Sequence, residues 1–323
     1  MSRTLRLATL AVGALLVVSA CSSGATATPT PTAAPSSAAP SGSASSAPST
    51  TAAASPTTAI TVPAGQLIFD GKLVVCSDIP YPPQEFFDAQ GNPIGSDIEI
   101  AQEIAKRLGL TAVIQNSVFD TIILAVTGGK CDIIVSAQNI NPDRVKQVDM
   151  IPYFQAGQSF VVAKGNPKGI KTSDDLCGNV VGVESGTTEL DYLQGTGDYK
   201  GQGLSAACTV KGKPAITIKT FQKDSDALLA LQAGQVNAYF ADSPVAGYYT
   251  VQHPDQFELS GVTLAVAREG ISVSKDHTGL RDAVQATLVS MIDDGTYLNI
   301  LKKYGDDAGA ITSDVAKQLN QSK

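Results

Sequence analysis

The sequence predicts an α/β protein of two lobes, each a mostly parallel sheet flanked by helices, with two hinge strands joining them. Three observations carry this. From residue 72 onwards, short apolar runs alternate with segments of helical periodicity, the order that gives parallel strands covered on both faces. The segments 128–137 (G-G-K-C-D-I-I-V-S-A) and 233–242 (A-G-Q-V-N-A-Y-F-A-D) share one layout, helix end, glycine, then buried strand, so the unit occurs twice. Two stretches, 160–164 and 266–274, are the natural crossings between the halves, and a pair of crossing strands makes a hinge that can close on a ligand.

Taken in order, residues 72–77 (K-L-V-V-C-S) read as a fully buried strand, followed by the loop D-I-P-Y-P-P-Q-E-F-F. A turn at D-A-Q-G-N-P leads into a helix opened by a capping box, Ser96 with Glu99, and closed before Gly109. Ile98, Ala101, Ile104, Ala105 and Leu108 keep helical spacing along it, so one face packs on the sheet. A strand at 112–115, a short helix at 120–127 and a strand at 132–135 complete the first β-α-β-α-β run. Behind it stands S-A-Q-N-I-N-P-D-R, residues 136–144. Asn141 is a helix N-cap and Pro142 the first helical residue; Arg144 in the first turn adds a planar, bidentate partner for a carboxylate. This stretch is a candidate anion clamp at the C-terminal edge of the sheet.

The second lobe follows with a strand at 180–184, a helix after Gly186-Thr187-Thr188, a strand at 216–220, a helix at 225–233, a strand at 236–241 and a helix after Pro244. The chain then gives a strand at 270–274, a helix at 278–293 with Leu280, Val284, Leu288 and Met291 on one face, and a last short helix at 296–303.

At 323 residues, 43% hydrophobic and 16% charged, the chain can build two lobes with ample cores. Its first part is different. Arg3 and Arg6 precede an apolar run over 7–20, the form of a secretory signal, and Val18-Ser19-Ala20-Cys21 resembles a bacterial lipoprotein processing site. Diacylglycerol on Cys21 would hold the protein to the outer face of the bacterial cytoplasmic membrane. Residues 22–62 are almost wholly Ser, Thr, Ala, Pro and Gly without a charge, and cannot bury enough surface to fold. As a flexible coil of about 40 residues this tether reaches roughly 35 Å. The expected division is therefore a signal at 1–20, the lipidated cysteine and tether at 21–66, lobe 1 from 67–160 with 270–307, lobe 2 from 161–269, and a C-terminal tail at 308–323.

Removing Arg3 and Arg6 leaves 21 of the 23 basic residues against 30 acidic ones, a net charge of −9. Such a surface argues against nucleic acid and against direct binding to anionic lipid. Five cysteines less Cys21 leave four in an oxidising compartment. Cys177 and Cys208 lie in one segment and are expected to pair. Cys76 ends one strand and Cys131 begins a parallel neighbour, an offset beyond bridging distance, so two buried thiols are expected there. There is no C-x-x-C pair, and His253 and His277 are too isolated for a zinc site or a catalytic triad. Neither cofactor nor metal is expected.

The order of motifs resembles the bacterial extracellular solute-binding proteins of the amino-acid class, family 3, over about residues 73–305. The likeness rests on S-D-I-P-Y-P-P with E-F-F behind it, G-S-D-I-E-I-A-Q-E-I-A-K-R-L-G, S-A-Q-N-I-N-P-D-R, V-E-S-G-T-T, F-A-D-S-P-V-A and D-D-G-T-Y-L-N-I-L-K-K-Y-G. The sequence departs from the family at Ser96, where an aromatic is usual, and at Ala137-Gln138-Asn139, where Gly or Ser, an apolar residue and Thr are usual. The resemblance implies a type II periplasmic-binding-protein-like fold and a monomeric, non-enzymatic receptor that delivers an amino acid to the permease of an ABC importer. It also implies that Arg144, the backbone at Asn139 and the N–H groups of Thr187 and Thr188 take the ligand carboxylate, while Asp242 and the Ala137 carbonyl take the ammonium. Around the ligand side chain it sets Asp78, Tyr81, Phe119 and Glu184. Two acids without an obvious basic partner favour arginine, lysine or ornithine over glutamate. A glutamine-type or other polar ligand is the alternative, and a dehydratase on the same scaffold, using Asp78 or Glu184 as general acid, or a ligand sensor are the rivals.

Overall fold

The computed structural model describes residues 60–323, so the expected signal, Cys21 and most of the tether lie outside the described residues. The strands among the described residues are β1 (Lys72–Ser77), β2 (Phe86–Phe87), β3 (Pro93–Ile94), β4 (Thr111–Asn116), β5 (Ile133–Ile134), β6 (Val148–Ala163), β7 (Val180–Glu184), β8 (Thr217–Phe221), β9 (Ala238–Asp242) and β10 (Phe257–Ser274). The helices are α1 (Ser96–Arg107), α2 (Ile122–Thr127), α3 (Pro142–Val145), α4 (Thr188–Gln194), α5 (Leu204–Val210), α6 (Asp224–Gln232), α7 (Ser243–Gln252), α8 (Thr278–Asp293), α9 (Thr296–Tyr304) and α10 (Ser313–Ala316).

Eight strands form one sheet in the order β4-β1-β5-β10-β6-β9-β7-β8. In lobe 1, β1 runs parallel to β4 and β5; in lobe 2, β7 runs parallel to β8 and β9. The long antiparallel pair β6 and β10 stands between them, antiparallel also to β9 and β5. Residues 160–163 and 266–274 of the two expected crossings are parts of two strands of 16 and 18 residues, which carry the one sheet from lobe to lobe. Each lobe carries a core on both faces. Leu73, Val75, Ile104 and Leu288 belong to one face of lobe 1 and Val74, Ile122, Ile134 and Met150 to the other. In lobe 2, Val181, Val183 and Phe240 face one way and Val161, Leu231 and Tyr239 the other.

Helix α1 buries Ile98, Ile100, Ala101, Ile104 and Ala105, the face its spacing predicts. Its start differs from the expected capping box. Gly95 is the N-cap at φ +128°, and a Cβ there would fall 2.1 Å from the Gln84 carbonyl oxygen, so only glycine fits. Ser96 is therefore already inside the helix, where its hydroxyl donates to Asp306 Oδ2 at 2.6 Å, and Glu99 accepts from the Tyr304 hydroxyl at 2.6 Å. By contrast α3 begins as expected, with Asn141 Oδ1 accepting from the Arg144 N–H at 2.9 Å and Pro142 next to the cap.

Cys177 and Cys208 form the expected disulfide, with Cα atoms 5.5 Å apart. Cys76 and Cys131 are bridged too, at 5.8 Å, which corrects the expectation of two thiols. Strand β5 is only two residues long and the chain bends at Asp132, whose N–H donates to the Val74 carbonyl at 2.8 Å. That bend carries Cys131 back beside Cys76 instead of three residues along a straight strand. Two other segments pack where a tether end and a tail were expected. Ile60 and Val62 lie against the core of lobe 1, and Gln66 Oε1 accepts from the N–H groups of Gly279 and Leu280 at the start of α8. Ile311 and Ala316 are buried in the same core, and Asn320 Oδ1 accepts from the Met150 N–H. Among the described residues no helix is long and apolar enough to cross a membrane.

Candidate functional site

Open parallel sheets place their ligands at the carboxyl ends of the strands. Here β1 leads into Asp78, β5 into 136–139, β7 ends at Glu184 and β9 ends at Asp242. These ends face one another across the hinge around a narrow cleft. All ten residues expected to touch a ligand, Asp78, Tyr81, Phe119, Ala137, Asn139, Arg144, Glu184, Thr187, Thr188 and Asp242, line it. Three more line it that the sequence did not single out: Glu85, Ser136 and Glu189.

Arg144 is fixed before any ligand need bind. It is 7% exposed, its Nη1 donates to the Asn139 carbonyl at 2.8 Å and its Nη2 to the Gly186 carbonyl of lobe 2 at 3.1 Å. Its Cζ lies 5.2 Å from the centroid of the Phe119 ring, so Phe119 stacks on the guanidinium and does not fill the core. Burial pulls the guanidinium below its usual pKa, although a guanidinium stays charged at any ordinary pH. With two of five donor positions spent on carbonyls, it keeps donors for an anion.

Asp242 occupies the N-cap position of α7 but makes no side-chain cap. Its carboxylate turns into the cleft, where it accepts from the Tyr81 hydroxyl at 2.9 Å and, at 3.5 Å, from Asn139 Nδ2. Burial pushes its pKa up to about 6, against the lowering effect of those donors. Glu189 is 3% exposed, and its Oε1 has no hydrogen-bond partner among the described residues. Burial raises its pKa well above the carboxylate range, and the charge of Asp242 adds to this. The two acids thus form a pair with room for a shared proton or a ligand cation.

Ala137 adopts φ +45°, a left-handed conformation that costs a non-glycine residue about 1–3 kcal/mol. Its N–H is held by Asp97 Oδ2 at 3.0 Å and the Tyr153 hydroxyl at 3.1 Å. Thr187 caps α4 through its hydroxyl, which accepts from the Leu190 N–H. The Thr188 hydroxyl takes a bond from Gln158 Nε2 at 3.0 Å and donates to Glu189 Oε2 at 3.3 Å.

The far end of the cleft holds Asp78 and Glu184. Glu184 is 5% exposed with Oε1 unpartnered among the described residues, and burial, then the charges of Asp224 and Asp78, push its pKa up to about 10. Asp78, expected to lack a basic partner, has one: Lys223 forms an ion pair with its Oδ1. A separation of 145 positions hid that partner. Glu189 was hidden differently, because an acid in the first turn of a helix is the ordinary complement of the helix dipole.

The arrangement sets one buried guanidinium and two buried carboxyls in one cleft, the complement of a small zwitterion shielded from water. The chain is similar to the L-cystine-binding protein TcyJ of Escherichia coli (strain K12), 27% identical over 235 residues that cover 72% of this chain and 82% of that protein. It is likewise similar to the arginine-binding protein ArgT of Corynebacterium glutamicum, 29% identical over 241 residues, 75% of this chain and 76% of that protein. A solved structure of an ancestral arginine-binding protein bound to arginine matches with TM-score 0.65 at 35% identity, over 72% of this chain and 98% of that chain. The family model of the bacterial extracellular solute-binding proteins, family 3, matches residues 73–307, and the chain belongs to that family.

Proposed function

We propose that this protein captures an L-amino acid with a cationic side chain between its lobes and presents the closed form to the permease of an ABC importer. The carrying observation is the opposition of Arg144 to the Asp242 and Glu189 carboxyls within one cleft built from both lobes. Arg144 takes the ligand carboxylate, with the start of α4 beside it, and Asp242, Glu189 and the Ala137 carbonyl take the ammonium. Because these groups come from both lobes, the ligand binds the closed form better than the open one and shifts the population towards it. Glu184 takes the side-chain cation, which ionises a carboxyl that burial otherwise keeps neutral. The names of ArgT and of the ancestral protein support a cationic ligand.

A second reading has its own observation. A neutral Glu184 carboxyl can both donate and accept, which suits a carboxamide such as that of glutamine. In either case we propose binding without turnover, and anchoring through lipid on Cys21. A thermal-shift screen of the twenty amino acids with ornithine and citrulline tests the reading, since a ligand at 100 times its Kd adds about 2.7 kcal/mol of stability. Arginine, lysine or ornithine should give the largest shifts, and a screen without any shift would overturn amino-acid capture. Recovery of chemically unchanged ligand after long incubation tests the absence of turnover; a dehydrated product would establish the enzyme instead.

A further inference from the structure

Lys223 stands at the N-terminal boundary of α6 in lobe 2, and its ammonium is seated among oxygens of lobe 1. Besides the ion pair with Asp78 Oδ1, its Nζ donates to the Ser117 carbonyl at 3.1 Å, and to the Ile79 carbonyl and Asn116 Oδ1 at 3.4 Å each. Four acceptors surround a group with three donors, so the nest is complete. The other Asp78 oxygen accepts from the Phe119 N–H at 2.7 Å. Protein groups therefore engage both oxygens of a carboxylate that is 4% exposed, while the Lys223 side chain stays 25% exposed. Glu184, in the same cleft, is the reverse case, with one oxygen unpartnered among the described residues.

We propose that Lys223 sets the charge selectivity of the cleft: its ammonium serves Asp78 as an internal cation, straps lobe 2 to lobe 1, and leaves Glu184 open to a ligand side chain. The selectivity half of this rests on the reading of amino-acid capture above. With Lys223 in place, the far end of the cleft presents two carboxyls and one ammonium, and admits one more cation. Without it two carboxyls face the ligand alone, so a cationic side chain gains and a neutral one does not. The strap joins the lobes whichever ligand is bound, so its loss weakens every ligand by a common factor, and that factor cancels in a ratio of affinities.

The experiment titrates arginine and glutamine calorimetrically into the wild-type protein, Lys223→Met and Lys223→Arg, with melting curves to confirm folding. The preference for arginine over glutamine should rise at least about tenfold in Lys223→Met, or about 1.4 kcal/mol, and stay near the wild-type value in Lys223→Arg. Small-angle scattering of the proteins without added ligand should give Lys223→Met the larger radius of gyration. An unchanged or lower ratio overturns the selectivity role, and an unchanged radius overturns the strap. Should the wild type bind neither amino acid, the reading of amino-acid capture fails while the scattering comparison still decides the strap.

Discussion

The Tyr81 hydroxyl and Asp242 exchange two hydrogen bonds across the cleft: the hydroxyl donates to Asp242 Oδ2 at 2.9 Å and accepts from the Asp242 N–H at 3.0 Å. A residue of lobe 1 thereby orients the carboxylate that ends β9 of lobe 2. Arg144→Ala and Asp242→Ala should each weaken amino-acid binding by at least about 2 kcal/mol, the scale of losing a buried charged contact. Tyr81→Phe should cost less, about 1 kcal/mol, because the carboxylate survives and only its orienting bond is lost. Calorimetry decides this; near-native affinity in both alanine variants would remove the site.

Glu184→Gln keeps the shape of the side chain and its hydrogen bonding but abolishes the negative charge it can develop. The variant should lose affinity for arginine or lysine by about tenfold or more, on the order of 1.4 kcal/mol, while glutamine binding changes little. Parallel titrations of the three ligands make the comparison, and equal losses would refute a cationic pocket.

Much of this was legible in the sequence because it depends on local pattern. The stripe from Ile98 to Leu108 fixes the buried face of α1, and the run 133–135 fixes β5 and so the position of Arg144 behind it. Asp242 and Glu184 were legible through the likeness of F-A-D-S-P-V-A and V-E-S-G-T-T to the family, and a carboxyl that ends a buried strand, as Glu184 does, needs a partner. What stayed hidden depends on a third dimension. The Lys223 to Asp78 pair joins two lobes, the bend at Asp132 brings Cys131 beside Cys76, and the Gln84 carbonyl decides that Gly95, not Ser96, begins α1. Residues 60–66 and 308–323 are short segments whose docking through Val62, Gln66, Ile311 and Ala316 is set by contacts with the core of lobe 1 and with the start of α8.

The Cys76 to Cys131 bridge ties β1 to the approach of β5, next to the strand ends that carry Asp78 and Ser136. It closes a loop with a sequence separation of 55, for which chain entropy alone gives about 4 kcal/mol. Cys76→Ala with Cys131→Ala should lower the unfolding free energy by up to that amount, read from urea titrations under oxidising conditions. Unchanged stability would mean that the bridge is absent from the folded protein.

Burial, first among the causes in every case, raises the carboxyls of Asp97 to about 6, Asp306 to about 7, Asp224 to about 8 and Glu184 to about 10. In the unfolded chain the same groups titrate near 4. Between pH 4 and 8 the folded protein therefore holds more protons than the unfolded one, and stability falls as pH rises. Asp149, Glu103 and Asp294, whose values are lowered, act only near pH 4 and below and do not offset the decline. Melting curves without added ligand should give a higher Tm at pH 5 than at pH 8.5; an equal or lower one would contradict the burial of these acids. A cationic ligand opposite Glu184, with its ammonium at Asp242, stabilises the ionised forms. The decline should then be shallower in saturating arginine, and binding at pH 7 should release protons, seen as a buffer-dependent enthalpy in calorimetry.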